Sequence, residues 1–182
     1  TVQSRTLRSV RLRAPWLMFN LLTALLVATT VELFSDAISK FVALAAMMPI
    51  VALVGGNAGN QSLTVVVRAL AVGEISLQEN WKVLIKEVGV GMLNGFLVGG
   101  VMAIIAFLWY QNIWLSCIIW VAMTLNLVIA GLFGSMVPIA LRKMKLDPAL
   151  GSSIFVTTAT DVGGFFIFLG LATVFLHHLL GS

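Results

Sequence analysis

The sequence predicts an all-α integral membrane protein with five transmembrane helices, and three observations predict it. The 182 residues are 60% hydrophobic and only 10% charged, with a mean hydropathy of +1.06, whereas a soluble domain carries roughly a quarter charged residues. Five apolar runs each exceed the roughly 20 residues that an α-helix needs to cross the hydrocarbon. The basic residues flank these runs and form no separate basic domain, so the formal charge of +4 is a mark of membrane topology and not of nucleic-acid binding. Long continuous runs exclude an outer-membrane barrel, whose strands are short and alternate.

The first span covers about 15–33, with Pro15 suited to a first helical turn. Residues 1–14 form a basic juxtamembrane segment, and the spacing of Arg5, Arg8 and Arg11 fits a helix at an anionic membrane surface. A basic start before an apolar run imitates a signal peptide, but four more apolar segments follow without a small-residue cleavage site, so the span is read as retained. The chain begins with Thr1 in place of Met, which predicts a piece of a longer protein. A hydrophilic link, ELFSDAISK (32–40), leads to the second span at about 41–71, where Pro49 is expected to kink the helix. The third span, about 83–109, carries Gly91, Gly95 and Gly99, two overlapping GxxxG motifs that predict close helix packing. WYQNIW (109–114) is a tight connection to the fourth span, about 114–141, and the fifth covers about 148–179. Cys117, the sole cysteine, rules out an intramolecular disulfide and reads as an apolar filler.

Alternating sides place Arg5, Arg8, Arg11, Arg13, Arg68, Lys82, Lys86, Arg142, Lys143 and Lys145 on one side and only Lys40 on the other. The positive-inside rule then predicts a multi-pass protein of the cytoplasmic membrane, with its N-terminus cytoplasmic and its C-terminus external. Trp16, Trp81, Trp109, Tyr110 and Trp114 fall near span ends, as an aromatic belt requires. Five spans without an internal repeat cannot form two inverted halves in one chain. A symmetric pathway would need a second copy, a homodimer with the pore on its two-fold axis.

The polar residues inside the spans carry the functional reading. GGNAGNQSLT (55–64) places Asn57, Asn60, Gln61 and Thr64 along one helical face, with Arg68 a turn further on. Interhelical hydrogen bonding beside close-packed glycines is one reading; four polar residues on one stripe favour a water-accessible path. The fifth span adds Ser153, Thr157 and Asp161 at i, i+4 and i+8, a second stripe rising roughly 12 Å. A carboxylate at mid-membrane costs about 2.5–3.5 kcal/mol on insertion scales and marks a functional site by default. No Lys or Arg in any span interior offers Asp161 a fixed partner, although a protonated, merely buried acid is not excluded by sequence. Neutral oxygen donors around one carboxylate suit hard cations such as Mg²⁺, Ca²⁺ or Mn²⁺. Two copies of Asp161 across a dimer axis suit a hydrated ion better than a dry cage, because Mg²⁺ surrenders its water reluctantly.

Glu87, at the predicted cytoplasmic end of the third span, reads first as a solvated or salt-bridged acid and second as an ion-entry residue. Asn94 and Asn126 are expected to bond between helices. His177 and His178 alone are weak evidence for a metal site. There is no Walker motif, nucleophile–base pair or metalloprotease motif, so no enzyme is predicted.

With these residues in hand, the chain resembles the transmembrane domain of the MgtE family of magnesium channels. PIVALVGGNAGNQS (49–62) is similar to that family's second-helix signature, KEVGVGMLNG (86–95) to the start of its third helix, and DPALGSSIFVTTATDVGG (147–164) to its fourth-to-fifth helix region. The resemblance implies five helices per protomer and a homodimeric pore lined mainly by the second and fifth, so that residues 15–182 are the pore domain. It also implies that Asp161 holds Mg²⁺ largely through the ion's water shell, with Asn60, Thr64, Ser153 and Thr157 along the path. Many relatives carry a proline where this chain has Ser153-Ile154, which places the local backbone and any ligand role of Ser153 in question. Cytoplasmic sensor domains of the CBS type are expected in the full-length chain, with residues 1–13 as the end of their connecting helix. The expected activity is a Mg²⁺ channel, with Mn²⁺, Ca²⁺ or Co²⁺ as substitutes. A Na⁺- or H⁺-coupled divalent-cation exchanger using Asp161 as its coupling site is the alternative, and a non-conducting assembly subunit is a third reading.

Overall fold

A computed structural model describes residues 6–74, 80–145 and 151–181 of the chain. Seven helices run in order: α1 (Thr6–Glu32), α2 (Ser35–Lys40), α3 (Ala43–Ala71), α4 (Asn80–Tyr110), α5 (Ile113–Lys143), α6 (Ser152–Val174) and α7 (Leu176–Leu180). Five of them, α1, α3, α4, α5 and α6, are long and apolar enough to cross a membrane, as the hydropathy predicts. The helices form because in hydrocarbon only local i→i−4 bonding satisfies every backbone group.

α5 is the hub. It packs along α4, α3 and α6, while α1 leans chiefly on α6 and α4 scarcely reaches α3. The α4–α5 hairpin is the closest pairing, and the glycines of the third span are its reason. A Cβ at Gly91 would collide with the Leu127 carbonyl, and one at Gly95 would lie 2.6 Å from the Thr124 Cα. The predicted tight connection at WYQNIW is two residues long: Gln111 takes a positive φ of 51°, and the Asn112 side chain caps α5 by accepting from the Leu115 N–H at 2.9 Å. Asn112 Nδ2 also donates to the Leu179 carbonyl, tying α7 to the hairpin.

The apolar core is uneven. One large cluster fills the half of the bundle near the α4–α5 connection, around Leu44, Met47, Ile119, Met123, Phe168 and Leu169. A small one, Val66, Leu70 and Ile139, closes the opposite, basic end. Between them the interior is built from glycine backbone and small polar side chains, including the buried Gly55, Gly59, Gly131, Gly134, Asn126, Ser135 and Thr160.

Several sequence expectations are corrected. Pro15 does not start a helix; it lies inside α1, which is already helical at Thr6. The ring's fixed φ suits a helix and forfeits only one backbone bond, which water can replace at the bilayer edge. The hydrophilic link contains α2, stapled by an exposed Lys40–Asp36 ion pair at i, i+4. The fifth span ends at Val174, where the chain turns through Phe175 into α7. Its predicted start at Pro148, with Asp147, lies outside the described residues, as do Arg5 and the side chain of Arg8. Gly151 carries the chain into α6 with φ +74°, and a Cβ there would meet the Trp16 ring at 2.6 Å, so the position demands glycine twice over.

Two matched substitutions test this packing. Gly89→Ala, at a position with open space around it, is expected to stabilise by up to about 1 kcal/mol through helix propensity. Gly91→Ala, the same chemical change against the Leu127 carbonyl, is expected to destabilise by about 1–3 kcal/mol. Thermal unfolding in detergent should show opposite signs.

Candidate cation site

The site begins with the way α6 meets α3. A Cβ at Gly59 would lie 2.5 Å from Val156 Cγ1, and one at Gly56 would rest 3.8 Å from Thr157 Cγ2. Gly59 thus lets the helices approach closely, whereas a Cβ at Gly56 would make only ordinary contact, and the polar stripe of each helix emerges beside that of the other. Pro49, Gly56, Asn57, Asn60, Thr157 and Asp161 line a cleft of about 500 Å³. Asn57 and Asn60 also line a second hollow of about 680 Å³ with Gln61 and Thr64. Thr64 continues into a third, of about 370 Å³, with Arg68, Ser152 and Ser153. Because neighbouring hollows share these residues, they form one furrow along the open face of the α3–α6 pair, from Asp161 to the basic end. Every residue that the sequence assigned to the path, Glu87 apart, lies on it.

The hydrogen bonds fix what the furrow presents. Thr64 Oγ1 donates to the Asn60 carbonyl at 2.8 Å, and Thr157 Oγ1 to the Ser153 carbonyl at 2.8 Å. Both hydroxyl protons are spent on their own helices, so each hydroxyl turns acceptor lone pairs to its surroundings. Ser153 Oγ donates to Asn60 Oδ1 at 2.9 Å, a side-chain clasp between α3 and α6. Asp161 is half-buried, and among the described residues neither a hydrogen bond nor an ion pair reaches its carboxylate.

This is a hard, oxygen-only donor set. Among the described residues no group of three or more His, Cys, Asp or Glu is placed to hold a metal ion. The described residues of one copy therefore make no dehydrating cage of such ligands. Waters of a hydrated cation point their hydrogens outward, and a carboxylate with hydroxyl lone pairs is what such a shell requires.

Glu87 stands apart. It is only 6% exposed, its backbone abuts Gly131 of α5, and it lines none of the three hollows. No ion pair to it occurs among the described residues, so neither a solvated nor a salt-bridged role fits. α4 binds α5 along its glycine face, and that register turns Glu87 inward. Asn94 is exposed and makes no interhelical bond among the described residues, which corrects that expectation. Asn126 does bond between helices, from Nδ2 to the Val51 carbonyl at 3.0 Å. His178 packs at a tilt against Trp114, ring centroids 4.4 Å apart, and against Phe175, in an aromatic cluster at the far end of the bundle. The glycines of the second span mark a close-packing face in the sequence, but their spacing does not name α6 as the helix that Gly59 seats.

Comparison with known proteins agrees with this chemistry. The model of the MgtE family, described as divalent cation transporters, matches residues 48–171. The chain is 34% identical over 167 residues to the magnesium transporter MgtE of Bacillus subtilis, covering 92% of this chain and 37% of that protein. It is 36% identical over 169 residues to the protein of the same name from Thermus thermophilus, covering 90% and 36%. The corresponding figures for Enterococcus faecalis are 29% over 179 residues, covering 98% and 40%. The chain thus spans little more than a third of the length of these curated relatives.

Water access separates the furrow from the lipid-facing surface. In a Cys117→Ser background, Thr64→Cys is expected to react with a charged, membrane-impermeant thiol reagent. Leu93→Cys, exposed on α4, is expected to stay unmodified. Equal protection of both would contradict a wet furrow.

Proposed function

The chain belongs to the MgtE family of divalent cation transporters, and on that premise we propose that two copies form a channel for hydrated Mg²⁺ with α3 and α6 lining its axis. The observation that carries the reading is Asp161, an unpaired carboxylate in a furrow of hydrogen-bond acceptors within helices of membrane-spanning length. Lipid cannot satisfy the amides of Asn57 and Gln61, both exposed on this face; water and a second copy can. Closing two furrows on a two-fold axis would bring two carboxylates to one ion, matching the charge of a divalent cation.

In this reading Asp161 holds the ion through its water shell, so Mg²⁺ need not pay the cost of dehydration. The acceptor lone pairs of Thr157 and Thr64 and the carbonyl oxygen of Asn57 or Gln61 take hydrogen bonds from the shell as the ion moves toward the basic end. That end, with Arg68, Arg142 and Lys143, faces the cytoplasm by the positive-inside rule, and CBS-type sensor domains in a longer chain would join there through α1. Mn²⁺, Co²⁺ and Ca²⁺ share the hard-ligand chemistry and are candidate substitutes.

Flux into proteoliposomes tests the reading. An opposite charge about 4 Å away is worth up to about 4 kcal/mol at an effective dielectric near 20, so Asp161→Ala is expected to cut Mg²⁺ flux by about tenfold or more. Flux equal to wild type would refute the assignment. Flux that demands an opposing Na⁺ or H⁺ gradient, in place of following voltage, would move the function to a coupled exchanger.

A further inference from the structure

Behind the furrow, Asn126 of α5 is 1% exposed and touches both helices that form it. Its Nδ2 donates to the Val51 carbonyl of α3 at 3.0 Å. A Cβ at Gly164 of α6 would lie 2.6 Å from the same Nδ2, and one at Gly55 of α3 would collide with it. The amide therefore occupies a slot that opens only because both helices carry glycine there. Gly164 is three residues, just under one turn, beyond Asp161, and Gly55 is two residues before Asn57. The slot thus sits within about one turn of the carboxylate, at the inner edge of the large apolar cluster that ends with Val51, Met123 and Phe165.

The same side chain leaves its Oδ1 buried with no hydrogen-bond partner. An orphaned buried acceptor costs stability. Leucine has the same branched outline with no polar atom and would fill the slot without that cost. Packing alone does not account for an amide here; a directional bond between α5 and α3, made against the bare backbone of α6, does.

We infer that Asn126 is a positioning residue for Asp161: it ties α5 to α3 across Gly55 and seats α6 at Gly164, which fixes the height and separation at which α6 presents its carboxylate to the furrow. The inference rests on Asp161 being the cation site. Asn126 itself touches no ion. Its effect is on how tightly the site holds one, and it acts through the backbone of the two lining helices.

The test is Mg²⁺ flux into proteoliposomes across a concentration series, with thermal unfolding measured on the same reconstituted protein. For Asn126→Leu the half-saturating Mg²⁺ concentration is expected to rise about fivefold, the equivalent of one hydrogen bond of about 1 kcal/mol. Its unfolding temperature is expected to stay at or above wild type, because the orphaned acceptor is gone. A purely structural role predicts the reverse pattern. Met123→Ala, an apolar truncation one turn away on the same helix and also buried, supplies that comparison: lower unfolding temperature with half-saturation unchanged. A half-saturating concentration for Asn126→Leu equal to wild type overturns the inference. If Asn126→Leu does not fold, Asn126→Ala is measured in its place, and raised or unchanged half-saturation decides in the same way. Normal flux in Asp161→Ala would remove the cation-site reading and this inference with it, whereas defective Asp161→Ala beside normal Asn126→Leu removes the positioning role alone.

Discussion

A bilayer interior offers no hydrogen bonds, and that constraint gives the polar side chains of the α3–α6 face their meaning. A hydroxyl in hydrocarbon can return its proton to the carbonyl one turn back, and Thr23, Thr29, Thr30, Thr124 and Thr173 do so. A carboxylate has no such retreat, and an amide that donates to its own helix, as Gln111 does to the Leu108 carbonyl, still leaves its oxygen in need of a donor. Asn126 resolves half of the problem by bonding Val51. Asp161, Asn57 and Gln61 resolve none of it within one copy, and all three lie on the same face. The α3–α6 furrow is intelligible only if something other than lipid fills it.

Glycine is the second half of the design. Close approach in this bundle follows glycine backbone: Gly91 and Gly95 seat α4 on α5, Gly59 seats α6 on α3, and Gly134 of α5 meets the Gly59 carbonyl. Without side chains between them, α3, α5 and α6 form a thin wall whose outer surface is free to be polar. A bulkier interior would push α6 off α3 and part the two stripes. Packing and chemistry are therefore coupled along α3, where the glycine face and the polar face are opposite sides of one helix.

Much of this was legible in the sequence. Five spans follow from uninterrupted apolar length, the α4–α5 connection from WYQNIW, and both polar stripes from spacings of three and four. What the sequence withheld depends on which helix faces which. The burial of Glu87 and the exposure of Asn94 reverse their expected settings because the α4 glycine face, not hydropathy, fixes that helix's rotation. Pro15 misled because proline suits a first turn, yet a helix tolerates it further in when the lost bond lies near water. That Asn126 meets α6 at Gly164, within about one turn of Asp161, follows from the register between α5 and α6, which no local pattern encodes.

The central claim, that two furrows close around one hydrated ion, is tested most directly by a structure of the reconstituted protein with a divalent cation bound. The account predicts a homodimer with the ion on its two-fold axis, about 4 Å from the Asp161 carboxylates with water between, rather than the roughly 2.1 Å of direct Mg²⁺ coordination. A dimer whose α3–α6 faces turn outward to lipid, with no ion beside Asp161, would contradict it.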